Sequence, residues 1–184
     1  LPDPPIASIG YQASIVITPQ QEADMDIKAT LNNLLIPYTS NYAGTLLPGI
    51  REYTVTPGEK TTTISGKGKA GLKQEENYYF FYLPVCYKGI TGKSYAYYNT
   101  SRSKNLYLPA SVDENYSYDI QLPENLTLCT PIQEKKIDNP IGSFKITLTS
   151  EGSSLHIELA LQIKKQLITP AEYPAFRSLI TEWT

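Results

Sequence analysis

Histidine, methionine and tryptophan each occur once in these 184 residues, and cysteine only twice. A lone histidine, His156, gives little material for an imidazole-based metal site or proton relay. The two cysteines, Cys86 and Cys129, fit no metal-ligand spacing and are too few for a disulfide scaffold. A bond between them would stabilise by roughly 4 kcal/mol on chain-entropy grounds, and the sequence leaves open whether they pair. Charged residues make up 18%, with 16 Lys and Arg against 18 Asp and Glu. That balance excludes a charged disordered tail and argues against a nucleic-acid binder, which carries a basic patch or stripe. No apolar run approaches the ~20 residues of a membrane-spanning helix. No signal peptide or lipidation motif is visible, and the opening Leu1-Pro2-Asp3-Pro4-Pro5 reads as a mature chain or as a piece of a longer one.

What is present points to β structure. Isoleucine, threonine, tyrosine and valine together supply 55 residues. Such side chains suit a pleated, half-buried surface. Fourteen prolines and 11 glycines punctuate the chain at short intervals, as in sandwiches and barrels. Tyrosine outnumbers phenylalanine 15 to 4, which places many rings where one edge meets water.

Periodicity locates the strands. Met25, Ile27, Ala29 and Leu31 alternate with Asp24, Asp26, Lys28 and Thr30, and residues 11–18 alternate before them across a hairpin connection. Short strands are predicted at 52–56, 61–67, 94–99 and 105–109. The aromatic run 78–87 reads as a strand covered on both faces, with Pro84 at an end or edge. Tyr116 to Leu122, Phe144 to Leu148 and Leu155 to Ile163 keep a period of two, the last being the strongest strand signal in the chain. Thr169 and Glu172 are spaced as a capping box, with Pro170 after the cap. Phe176, Leu179, Ile180 and Trp183 form a helical stripe that needs an apolar surface, predicted to be a sandwich edge or open end. The predicted fold is an all-β antiparallel sandwich with one C-terminal helix. The polar stretch at 99–104 divides it into an N-terminal β segment or small sandwich, 1–99, and a C-terminal sandwich with the helix, 100–184. One merged domain is nearly as well supported.

Chemistry-bearing motifs are weak. Gly66-Lys67-Gly68-Lys69-Ala70-Gly71 matches the dinucleotide-binding pattern, but a polar stretch precedes it and no packing helix follows. It reads as a glycine-rich bend or bulge between strands. There is no G-x-S-x-G, and His156 alternates outward with Glu158 and Gln162, as a solvated side chain does. Asn99, Asn115 and Asn125 sit in sequons that a chain rich in Asn, Ser and Thr produces by chance. The tyrosines are the one feature that suggests binding. Tyr95, Tyr97 and Tyr98, with Tyr78, Tyr79 and Tyr82 nearby, are candidate stacking surfaces for sugars or peptide, against the plainer reading of cross-strand aromatic pairing. No catalytic, cofactor-binding or metal-binding residue is identified, and no cofactor is expected.

From about residue 78 the chain resembles the C-terminal β-domain that follows the catalytic core in bacterial transglutaminase-like proteins. The features that carry the likeness are NYYFFYLP at 77–84, SRSKNLYLP at 101–109, ENYSYDIQLPEN at 114–125, NPIGSFKITL at 139–148 and KKQLITPAEYPAFRSLITEW at 164–183. The last block is the most specific, joining a strand end, an Ile-Thr-Pro turn, a Tyr-x-x-Phe-Arg helix and a terminal Trp. Residues 1–77 match only loosely. The family's Cys-His-Asp triad belongs to the preceding core, and no such arrangement occurs here. The resemblance therefore implies a non-catalytic tail or a free-standing relative, exported to the periplasm or cell surface. Its implied partner is an adjacent transglutaminase-like catalytic domain. The competing expectation is a glycan-binding module that uses exposed tyrosines.

Overall fold

A computed structural model describes residues 5–32, 47, 49–86, 101–129 and 133–183. The expected all-β fold with one C-terminal helix is what it shows. Eight strands form one sheet in the order β3-β4-β2-β1-β8-β11-β10-β9. They are β1 (Ile6–Ile17), β2 (Glu22–Asn32), β3 (Ile50–Pro57), β4 (Thr61–Gly71), β8 (Ser111–Gln121), β9 (Gln133–Asn139), β10 (Gly142–Glu151) and β11 (Ser154–Ile163). Two small ribbons lie outside it: β5 (Lys73–Glu75) with β6 (Tyr78–Phe80), and β7 (Leu106–Tyr107) with β12 (Leu167–Ile168). The helix α1 spans Tyr173–Trp183.

All pairings in the large sheet are antiparallel except one. β1 and β8 run parallel, from Ile6 opposite Ser111 to Val16 opposite Gln121. This junction joins four strands drawn from residues 6–71 to four drawn from residues 111–163. A parallel pair needs a long crossover, and the chain between β1 and β8 supplies it.

Strict alternation gives the sheet one buried face. In β1, Ile9, Tyr11, Ala13, Ile15 and Ile17 are buried; in β2, Ala23, Met25, Ile27, Ala29 and Leu31 are. A row across the sheet reads Ile64, Ala29, Tyr11, Tyr116, Leu159, Ile146. Small Ala29 beside Tyr11 leaves room for the rings to pack. Tyr11 lies 5.4 Å from Tyr116 and 5.7 Å from Tyr118 between centroids, within the range of favourable aromatic pairs. Leu47, Cys86, Leu108 and α1 complete the core over this face. A sheet with one solvated face is an ordinary antiparallel solution.

The helix begins as its sequence dictates. The Glu172 carboxylate accepts from the Thr169 N–H at 3.1 Å and from its hydroxyl at 3.0 Å. Pro174 sits in the first turn, where a missing N–H costs nothing. The apolar stripe meets the sheet face rather than an edge or open end. Trp183 packs 5.6 Å from Tyr116 and 6.1 Å, edge-on, from Phe144. Asn139 donates to the Ala175 carbonyl at 3.0 Å, and Lys135 pairs with Glu182, so strand β9 also holds the helix.

Two expectations are corrected. The run 78–87 is not a strand covered on both faces. In its described part, 78–86, only Tyr78–Phe80 is strand, paired to β5 alone, and its outer side chains are exposed. The glycine-rich 66–71 is not a bend between strands but the second half of β4. Gly66 and Gly68 face the bulged edge strand β3, whose register shifts between Ile50 and Glu52. A Cβ at Gly66 would meet the Glu52 carbonyl oxygen at 2.2 Å, and one at Gly68 the Gly49 oxygen at 2.7 Å. Close backbone approach, not phosphate binding, explains these glycines.

Candidate functional site

Tyr95, Tyr97 and Tyr98, the tyrosines singled out from sequence, lie outside the described residues, as does the predicted strand 94–99. Their neighbours in the chain are described. From residue 78 to 83 the side chains alternate: Tyr79, Phe81 and Leu83 turn partly inward, while Tyr78, Phe80 and Tyr82 are 55%, 45% and 77% exposed. Phe81 and Leu83 pack against the core, which anchors the segment. The outward side is therefore a stripe of three aromatic rings on a fixed support. Beside it on β5, Lys73 and Glu75 stand opposite Phe80 and Tyr78 and pair with each other at 2.5 Å. On the second ribbon Tyr107 and Leu167 face each other across the pair, 70% and 50% exposed. Sequence reasoning found Tyr78 and Tyr82 but passed over Phe80. Its place in a continuous aromatic run concealed the alternation.

The open face of the large sheet is different in kind. Cross-strand rows read Lys67, Asp26, Ser14, Asp119, His156, Thr149 and, one step along, Ser65, Lys28, Gln12, Ser117, Glu158, Thr147. From β4 to β10 none of the side chains in these rows is a phenylalanine, tyrosine or tryptophan. Shallow depressions of about 450 to 700 Å3 run along this face.

His156 sits in the first row. Its Nδ1 lies 2.7 Å from Asp119 Oδ1 and its Nε2 3.3 Å from Glu158 Oε1. The hydrogen bonds to Asp119 first, and to Glu158 second, raise the imidazole above its ordinary pKa, and the half-exposed setting opposes this only weakly. A histidine that serves a nucleophile keeps one nitrogen facing the hydroxyl or thiol. Here both nitrogens face carboxylates. Neither thiol is near in role: Cys86 is buried and Cys129 is exposed. Among the described residues no three His, Cys, Asp or Glu side chains converge as metal ligands.

Two buried tyrosines belong to the polar groups of the core. Tyr118 donates its hydroxyl to the Pro84 carbonyl at 2.7 Å, fixing the end of the aromatic segment to the sheet. The Tyr11 hydroxyl has no partner among the described residues. Burial pushes both phenols far above their ordinary pKa, with the Cys86 thiol adding to the effect on Tyr11 and Tyr11 to that on Tyr118.

Fold and surface together define an all-β protein with a C-terminal helix, a polar open sheet and an aromatic ribbon. Within that class the chain belongs to the family DUF3858, a domain of unknown function with a solved structure, which matches residues 77–184. The chain is also similar to the 2.00 Å crystal structure of a candidate protease from Parabacteroides distasonis. The two share 37% identity over 47% of this chain and 17% of that one, with a TM-score of 0.44, so the likeness spans under a fifth of that protein. No curated protein matches the chain. No described helix is long and apolar enough to cross a membrane.

Proposed function

We propose that this chain is a non-catalytic interaction module that docks a transglutaminase-like catalytic neighbour in an exported protein, in the periplasm or at the cell surface. The observation that carries this reading is the ribbon stripe of Tyr78, Phe80 and Tyr82, held outward by the inward anchoring of Phe81 and Leu83. Rings so exposed are costly in water and are a common mark of a contact surface. The likeness of residues 77–84 and 164–183 to the domain that follows such cores supplies the partner. The doubly engaged His156 offers no nucleophile–base pair, which supports a role without catalysis.

The same stripe favours a second reading, a glycan-binding module. Sugar sites combine a stacking ring with hydrogen-bonding groups around it. At the stripe itself those ingredients sit apart. The amides and hydroxyls line the open sheet, away from the stripe, and the charged pair beside the stripe is satisfied internally. The docking reading is therefore preferred.

One experiment separates the two. The chain is mixed with a separately expressed transglutaminase-like core, and in parallel applied to a glycan array. Docking predicts a rise in melting temperature with the core, corresponding to about 2.7 kcal/mol at a hundredfold excess over Kd. The rise disappears in the Phe80→Ser, Tyr82→Ser double variant, and the array stays blank. A glycan hit lost in the same variant, with no response to the core, would replace docking with sugar binding. Turnover of a glutamine-peptide and amine pair by the isolated chain would overturn the non-catalytic part.

A further inference from the structure

Against the outer side of α1 lies a cleft of about 450 Å3, distinct from the aromatic ribbon and from the open sheet face. Arg102 and Arg177 line it, over a floor that includes Pro170, Tyr173 and Pro174. The Arg102 guanidinium is held 5.8 Å from the centroid of the Tyr173 ring, a cation–π distance. Tyr173 is itself buried and tilted against Phe176 at 5.9 Å, so the platform under Arg102 is fixed by the core. The ring attracts the charge but offers no lone pair to the guanidinium's five N–H donors.

Among the described residues Lys69, Lys73, Lys135 and Lys165 each have a carboxylate partner. Arg102 and Arg177 are among the other described lysines and arginines, which have none, and the two line this one cleft together. The acid that lines the cleft, Glu182, is taken by Lys135. Two guanidinium groups thus face one cleft without an anion, in a chain whose net charge is −2. Arginine presents its donors in a planar fork that matches a carboxylate. The cleft far exceeds the bulk of a lone inorganic ion, and its proline and tyrosine floor suits an apolar body attached to the acid.

We infer that this cleft receives an acidic side chain, aspartate or glutamate, of a partner polypeptide, with Arg102 and Arg177 as its two anchors. This deepens the docking reading and rests on it only in taking the partner to be a polypeptide.

The test follows the arginine Nε–Hε signals of the isotope-labelled full chain by NMR. The probes are acetyl-triglutamate amide, acetyl-triglutamine amide and inorganic phosphate. The glutamate peptide is expected to shift the Arg102 and Arg177 signals, saturably and less at high salt, and the glutamine peptide is expected to leave them unmoved. Arg177→Gln, at an exposed position that folding does not need, should weaken the glutamate peptide about tenfold, the loss of one charge-assisted contact. Equal binding by the variant, or by the glutamine peptide, would overturn the inference. So would phosphate binding more tightly than the glutamate peptide, which would mark a simple ion site. If the peptide fails while the catalytic core still gives the stripe-dependent thermal shift, this inference falls and the docking reading stands.

Discussion

Tyr11 and Tyr118 stand on adjacent strands of the same buried face, yet their hydroxyls are in opposite situations. Tyr118 donates to Pro84 at 2.7 Å, while the Tyr11 hydroxyl is buried without a described partner. A buried, unmade hydrogen bond costs about 1–3 kcal/mol, while a made one contributes about 1 kcal/mol net. Tyr11→Phe should therefore be neutral or stabilising by about 1 kcal/mol. Tyr118→Phe should destabilise by about 1–2 kcal/mol, since it also strands the Pro84 carbonyl. Urea denaturation of both variants checks the pair, and a loss at Tyr11 equal to that at Tyr118 would show a hidden partner. His156 gives a pH prediction at the same scale. Its pKa is raised in the folded chain by Asp119 and then Glu158. The charged form is thus favoured by folding, and its contribution is complete below the unfolded value of about 6.5. It is lost as pH rises through the higher folded value. Because the ring is half-exposed, the effect is at most about 1 kcal/mol and shrinks with salt. Melting temperatures of the native chain and His156→Gln should converge as pH rises from 6 toward 9. A gap that widens instead would reverse the sign. The outward placement of His156 was legible from alternation with Glu158. Its contact with Asp119, 37 positions away, was not, because it depends on the register of β8 against β11.

At the scale of elements, patterns of period two were the reliable guide. β2, β10 and β11 fall where alternation placed them, because each has one face on the core and one in water. Where that condition failed, so did the reading. The aromatic run 78–83 has its inward rings on the core and its outward rings exposed. A continuous apolar string cannot say which. Likewise Gly66 and Gly68 of β4 mark a close approach to the bulge of β3, a fact about the neighbouring strand rather than the local sequence. The helix was legible at both levels. Its cap is Thr169 and Glu172, and the latter carboxylate is driven down to about 2 by Lys165 first and then by the hydrogen bonds from Thr169. Its buried stripe ends in Trp183, against Tyr116 and Phe144. Trp183→Ala should then cost about 3–5 kcal/mol, the range for removing a buried tryptophan from a core. An unchanged unfolding midpoint in urea would show that the last turn of α1 is dispensable to the sheet.

The molecule as a whole turns on the β1–β8 junction. Residues 77–184, the part that matches the family, contain β8 but not β1. In the full chain β8 is central, hydrogen-bonded to β1 on one side and β11 on the other. Its inward side chains, Tyr116 and Tyr118, lean on Tyr11. Removing residues 1–76 would turn β8 into a long bare edge and uncover those rings, the arrangement that invites strand-to-strand association. No short-range signal in the sequence announces the junction, because parallel pairing across such a separation is set by the buried faces that must meet and not by any turn between them. Two outcomes follow. The full chain should unfold in urea as a single transition, coincident by circular dichroism and tyrosine fluorescence, since the shared sheet couples both halves. A fragment of residues 77–184 should be aggregated or markedly less stable, and a soluble fragment of residues 5–76 added during refolding should restore a monodisperse complex. If the shorter fragment instead folds alone with undiminished stability, then β1 is a decoration on a self-sufficient domain. The large sheet would in that case be two units laid edge to edge, and the Tyr11 contacts would contribute little to either.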